Sequence, residues 1–260
     1  MIACRSSSEL DRMRVPNQLV TDVLAELAAV VRPGMTTRDL DQLAERRIRD
    51  AGAEPAFKGY RGYPATLCAS INAEVVHGIP SRERTVNDGD IISLDVGART
   101  DGFYGDSAVT VAVGSVPDET ATLLRVTREA LDRAIAQVRV GGRLSDIGHA
   151  VQQWVEQYGF SIVREFVGHG IGERLHEDPQ IPNYGEPGRG PKLAAGMVLA
   201  IEPMVAMGRP ETRVLGDGWT AVTKDGSLAA HFEHTVAVTA DGPLVLTAGE
   251  GQGAGAAAAS

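Results

Sequence analysis

Four acidic residues stand inside stretches that otherwise read as buried β-strands, and a fold cannot accept them singly. Asp95 follows the apolar run Ile91-Ile92-Ser93-Leu94, and Asp106 sits in the next β-rich stretch. Glu202 ends Val198-Leu199-Ala200-Ile201, and Glu233 lies within His231-Phe232-Glu233-His234-Thr235-Val236. An ionised carboxylate in an apolar interior is costly unless it is paired or bound to a cation. One such group is readily explained as the partner of a buried arginine. Four are not, because the nearest bases, Arg99, Arg164 and Lys192, flank loops or strand starts.

The spacing sharpens this. Segments 90–97 and 103–113 are joined across Arg99-Thr100-Asp101-Gly102. A turn centred between Thr100 and Asp101 predicts that Asp95 and Asp106 face each other, with Cβ atoms about 4.5–5.5 Å apart. A divalent cation between them resolves the repulsion. The plainer alternative for Asp106, beside Gly105, is a turn residue. Gly168-His169-Gly170-Ile171-Gly172 lacks the spacing of a phosphate loop, and its glycines let backbone fold closely around one imidazole. His176 follows it, and His77 stands in Val76-His77-Gly78-Ile79-Pro80. The charges of Asp95, Asp106, Glu202 and Glu233 match two divalent ions, and neutral His169 adds one nitrogen ligand. Such an oxygen-rich set suits Mn, Fe, Co or Zn in a two-metal hydrolase better than a thiolate zinc site. Ions about 3.5–4 Å apart share a water and bring its pKa toward ~7. No Gly-x-Ser-x-Gly elbow supports a serine hydrolase.

Helical periodicity predicts helices over residues 9–31, 37–51, 118–139 and 145–158, with Thr37 and Ser145 as caps and Pro16 as a break or start in the first. An offset of 107 pairs Arg32 with Arg139, Gly34 with Gly141, Asp39 with Asp146, Leu40 with Ile147 and Gly52 with Gly159. This reads either as an internal duplication or as the ordinary recurrence of helix stops and caps. Strands are expected over 90–97, 103–113, 196–202, 219–224, 230–239 and 243–247. Helix pairs interleaved with antiparallel hairpins make an α+β domain. We expect one catalytic domain over 1–247, in halves of about 9–113 and 114–247, and a disordered Gly/Ala-rich tail over 248–260.

The ordered motifs Tyr63-Pro64, Cys68, Ile71-Asn72, His77-Gly78-Ile79-Pro80, Asp95, Gly105-Asp106, Gly168-His169-Gly170-Ile171-Gly172, His176-Glu177, Ile201-Glu202-Pro203-Met204 and Phe232-Glu233-His234-Thr235 closely resemble type I methionine aminopeptidases over residues 9–247. The resemblance implies the pita-bread fold, two related α+β halves with a central curved antiparallel sheet covered by helices. It implies that Asp95, Asp106, His169, Glu202 and Glu233 hold two divalent ions, with Glu202 also relaying a proton from the bridging water that attacks the substrate. His77 would assist at the leaving amide nitrogen, and His176 would hydrogen-bond the scissile carbonyl. Tyr63, Cys68 and Trp219 would line an apolar slot for the methionine side chain, with Phe57, Tyr60 and Leu175 nearby. Tyr63 and Trp219 have a plainer alternative as core aromatics. Three residues depart from the family's usual pattern. Leu175 stands where many relatives carry Phe, Phe57 where some carry Cys, and His231 before Phe232 is unusual.

The resemblance further implies nascent polypeptide N-termini at the ribosome as substrates and a monomeric enzyme. The net charge of −9 lacks the footprint of a nucleic-acid binder. No apolar run of about 20 residues predicts a membrane span. Two cysteines outside any CxxC, and a polar start without a signal-peptide core, point to a reducing cytoplasm. The rivals are an Xaa-Pro aminopeptidase or prolidase on the same fold, which usually carries a large extra N-terminal domain, and a binding relative without catalysis.

Overall fold

The computed structural model describes residues 2–249; the expected tail from residue 250 onward lies outside them. Helix α1 (Ser7–Val30) starts at a Ser-x-x-Glu capping box, in which Ser6 and Glu9 satisfy each other's free backbone N–H groups. Pro16 lies inside α1 without ending it. Helix α2 (Thr37–Asp50) is capped by Thr36, one residue before the expected Thr37, whose hydroxyl donates instead to the Ser81 carbonyl at 3.2 Å. Helix α3 (Asp118–Ile135) stops four residues before the expected 139. Helix α4 (Leu144–Glu156) has Arg143 rather than Ser145 at its cap position, because Asp146 takes the Arg143 N–H at 2.9 Å while Ser145 Oγ donates to the Arg189 carbonyl.

The offset of 107 has a conformational counterpart. Gly34 and Gly141, at φ 89° and 84°, turn the chain between the helices of each pair, and Gly52 and Gly159, at 74° and 75°, close the second helices. L-residues with side chains adopt this region poorly, which accounts for glycine at these stops. Asp39 and Asp146 cap equivalent ends, through the N–H groups of Thr36 and Arg143.

Each helix pair covers its own apolar core. Val20, Leu27, Leu40 and Ile48 pack on Ile92, Leu94 and Val96, whereas Leu123, Ile147 and Val151 pack on Leu199, Ile201 and Val236. Fully burying such a side chain contributes about 1.5–3 kcal/mol. In the first core, strand Ile91–Thr100 runs antiparallel between Leu67–Ile71 and Phe103–Ala112, with Glu54–Pro55 added at its end. In the second, the strand order is Gly242–Val245, His234–Thr239, Val198–Ile201, Gly168–Gly170, Glu177–Ile181, all antiparallel. The stretch expected as one strand over 230–239 is two, Ala229–His231 and His234–Thr239, in different sheets. The interruption at Phe232-Glu233 lets the second region join the first. Glu233 and Ala108 exchange backbone hydrogen bonds, Ser107 Oγ donates to the Glu233 carbonyl at 2.6 Å, and Thr235 Oγ1 donates to the Asp106 carbonyl at 2.8 Å.

Helix α1 presses on the same hairpin at Gly105. A Cβ there would stand 2.7 Å from the Asn17 backbone nitrogen and 2.8 Å from the Pro16 carbonyl carbon. Neither can yield without moving the helix. Gly105→Ala is therefore expected to destabilise the fold by about 1–3 kcal/mol. Urea unfolding should show a lower midpoint at an unchanged slope; an unmoved midpoint would contradict this packing.

Candidate metal centre

Asp95 points from the middle of strand Ile91–Thr100, paired with Cys68 on one side and Ala108 on the other. Asp106 is opposite Gly97, not Asp95. The expected face-to-face register is thus corrected by one residue of turn placement. The turn centres on Asp101 and Gly102, both at positive φ, 48° and 81°, as a two-residue hairpin loop requires. The aspartates still share a face, but diagonally, which separates them further than a direct pair. Phe57 fills the space over Gly97, where a Cβ would meet its ring at 2.7 Å.

The second region brings the other side chains to that face. Glu233 sits at the strand interruption, against Ala108, and Glu202 directly follows strand Val198–Ile201. His169 lies between two glycines that have no room for a side chain: a Cβ on Gly168 would collide with the Ala200 carbonyl, and one on Gly170 with the Asp178 carbonyl. The His169 Nδ1–H donates to the Gly170 carbonyl at 2.9 Å. This leaves the Nε2 lone pair facing the acids, 3.6 Å from Glu202 Oε1 and 3.9 Å from Asp106 Oδ2. Ligand atoms of Asp106, His169 and Glu233 all lie within 4.8 Å of one another.

These groups fit a cation and little else. Asp106 and Glu233 are 3% and 2% exposed, and oxygens of Asp95, Asp106 and Glu233 are buried without a hydrogen-bond partner. Among the described residues no Lys or Arg pairs with any of the four acids. Burial pushes the Asp95 carboxyl up to about 7. Burial, with repulsion from the neighbouring acids, pushes Asp106, Glu202 and Glu233 well above the usual carboxylate range. Burial also lowers His169 to about 4, which keeps its imidazole neutral and able to ligate. Four oxygen donors with one imidazole is a donor set for a divalent first-row ion.

A pH prediction follows from the sign of these shifts. Carboxyls whose folded-state pKa is raised stabilise the fold fully only below their unfolded values, about 4; that contribution falls as pH rises above those values and is gone once pH has passed the folded value, near 7 for Asp95 and higher for the other three. The metal-free protein should therefore lose stability toward alkaline pH, and the gain in Tm on adding Mn²⁺ should grow from pH 5 to pH 8. Melting curves with chelator and with metal measure this; a gain that shrinks with rising pH would refute it.

An apolar pocket adjoins the acids. Phe57, Tyr60, Tyr63, Cys68, Leu175 and Trp219 line the same cleft as Asp95, Asp106, His169, Glu202, Glu233, His77 and His176. Every candidate metal, catalytic and pocket residue named from the sequence thus lines one cleft. Tyr63 and Trp219 meet edge to face at 5.1 Å, and the Tyr63 hydroxyl is tied to the Leu67 and Gly78 carbonyls at 3.0 and 3.1 Å. His77 stands between Trp219 and Phe166, and burial lowers it to about 4. His176 stacks on Tyr60, whose hydroxyl is 2.9 Å from its Nδ1. Burial chiefly, then His169, Arg61 and His77, lowers His176 to about 3. Three residues escaped the sequence reading. Arg61, at φ 49°, lines the cleft, and Phe166 backs His77. Arg5 makes a buried ion pair at 2.6 Å with Glu177, the residue after His176. No local pattern marks a contact between residues 172 positions apart.

Buried acids and an imidazole around one centre, beside an apolar pocket and two further histidines, are the features of a metal-dependent hydrolase. The model of Metallopeptidase family M24 matches residues 11–240. The chain belongs to this family and, within it, to the methionine aminopeptidases. It is 51% identical over 247 residues to methionine aminopeptidase 1 of Bacillus subtilis, covering 95% of this chain and 99% of the relative. The crystal structure of methionine aminopeptidase from Thermotoga maritima superposes with a TM-score of 0.94 at 48% identity, covering 95% and 99% of the two chains. The prolidase from Pyrococcus furiosus, at 22% identity and a TM-score of 0.74, shares the fold, and 66% of that chain is covered. The architecture is thus the expected pita-bread fold, mixed α/β with antiparallel sheets.

Proposed function

We propose that this protein hydrolyses the amide bond after an N-terminal methionine, with Asp95, Asp106, His169, Glu202 and Glu233 as ligands of two divalent cations. The observation that carries this reading is one cleft combining five donors, four of them buried and Glu202 half-buried, with the pocket of Tyr63, Cys68, Leu175 and Trp219. When bound, divalent cations supply Lewis acidity toward the amide carbonyl and acidify water. Glu202, whose Oε1 lies 3.6 Å from His169 Nε2, would accept a proton from the attacking water. His176, neutral, with its Nδ1 engaged by Tyr60, directs Nε2–H at the carbonyl oxygen as negative charge develops there. His77, placed between Phe166 and Trp219, serves the departing amide nitrogen. Tyr63, fixed by two carbonyls, gives the methionine slot a rigid wall. Leu175, smaller than a phenylalanine, would widen that slot, and Phe57 lines the same cleft.

Residues 1–247 form, in this reading, one catalytic unit of two related halves, about 9–113 and 114–247; the matched glycines and caps at an offset of 107 support it. The substrates are nascent chains at the ribosome and the enzyme acts as a monomer in the cytoplasm, a setting that suits the free thiols of Cys4 and Cys68. Among the described residues no helix is long and apolar enough to cross a membrane. Co, Mn, Fe and Zn each suit the donor set. The test assays metal-reconstituted protein on Met-Gly-Met and Xaa-Pro peptides side by side. Cleavage of the first alone is expected; preference for Xaa-Pro would replace this reading with the prolidase one.

A further inference from the structure

His231 is 1% exposed, and its Nε2 is buried with no hydrogen-bond partner. Buried polar atoms are seldom left so, and each case calls for an explanation. The backbone of His231 cannot shift to relieve it. Its N–H donates to Thr110 Oγ1 at 2.8 Å, its carbonyl accepts from the same hydroxyl at 2.7 Å, and it pairs with Met204 across two strands. That pairing sets its side chain beside Glu202. Nε2 lies 3.8 Å from Glu202 Oε2, while the other oxygen, Oε1, lies 3.6 Å from His169 Nε2. The carboxylate is thus held between two imidazoles, one assigned to the metal and one left over. The distance to His231 is just beyond hydrogen-bond reach, and a small rotation of the carboxylate closes it.

We infer that His231 is a positioning residue: in the metal-loaded protein its Nε2–H donates to Glu202 Oε2 and orients Oε1 toward the cation. This rests on the assignment of Glu202 as a ligand. Groups that hydrogen-bond a ligating side chain fix its orientation, and their loss typically weakens metal binding about 10- to 100-fold. Histidine serves here because it places one donor at the end of a rigid, buried ring.

The experiment titrates metal-free wild type, His231→Leu and His231→Gln with Mn²⁺ by calorimetry, and records Co²⁺ absorption spectra of each. Leucine suits the buried site and removes the donor; glutamine restores a donor. We expect His231→Leu to bind Mn²⁺ about 10- to 100-fold more weakly, His231→Gln to recover most of the loss, and all three Co²⁺ spectra to keep the same band positions. Equal affinity of His231→Leu and wild type overturns the inference. So does failure of glutamine to rescue together with shifted Co²⁺ bands, which would make His231 a ligand itself. A wild type that binds no divalent cation refutes the metal centre as a whole. Should the leucine variant not fold, ¹⁵N spectra of the wild-type imidazole decide alone: on adding Zn²⁺, Nε2 is expected to stay protonated with a slowly exchanging proton, and a metallated Nε2 overturns the inference.

Discussion

Replacing Asp106 by asparagine is expected to remove turnover and metal binding together while making the metal-free protein more stable. Asp106 lies on the shared face of the hairpin, 3% exposed, beside His169 and Glu233. As the ligand proposed above, it would hold the cations that supply carbonyl polarisation and water acidification. Losing several kcal/mol of that stabilisation lowers the rate by roughly 10³-fold or more. The stability change runs the other way. Without a cation, burial and the charges of Glu233 and Asp95 push the Asp106 carboxyl well above the usual carboxylate range. A neutral amide of nearly the same shape relieves that conflict by about 1–2 kcal/mol. Metal content by atomic emission, peptide turnover and melting of the chelated protein check the three parts. Turnover near the wild-type level, or a chelated variant that melts lower than the chelated wild type, would contradict the assignment. The opposed signs matter because an ordinary structural aspartate would lose stability and activity in the same direction.

His176→Ala should lower kcat by about 10²–10³-fold, the usual cost of one oxyanion donor, while metal content and the metal-induced gain in Tm stay as in the wild type. The discrimination is demanding, since the His176 and His169 rings lie only 4.2 Å apart. What separates their roles is the orientation of each ring. His169 spends Nδ1–H on the Gly170 carbonyl and turns Nε2 to the acids. His176 engages Tyr60 through Nδ1 and leaves Nε2 for the substrate. A fall in KM-independent turnover without loss of metal is the expected pattern; loss of metal would reassign His176 as a ligand. His176→Gln, which keeps an N–H donor, should recover part of kcat.

The chain's local chemistry made much of the centre legible. An acid after Ile91-Ile92-Ser93-Leu94, and another after Val198-Leu199-Ala200-Ile201, announce their need for a counter-charge because burial is so costly. The glycines beside His169 are equally telling: the backbone collisions awaiting any Cβ at positions 168 and 170 leave no other residue possible. Helix ends were readable to within a few residues, because Ser6, Asp39 and Asp146 satisfy N–H groups close to them in the chain. Turn placement at Asp101-Gly102 was misjudged by one residue, and that single step converts a facing pair of aspartates into a diagonal one.

What the sequence by itself determined is which side chains cannot rest in a core alone, and where the chain must turn or stop; both follow from interactions within a few residues. Only the tertiary structure decided which of them meet. The bridge between Ala108 and Glu233, the approach of His231 to Glu202 and the ion pair of Arg5 with Glu177 join residues 125, 29 and 172 positions apart. Their pairing depends on how two sheets and two helix pairs pack, and packing is settled by the sum of many weak contacts that no local pattern records.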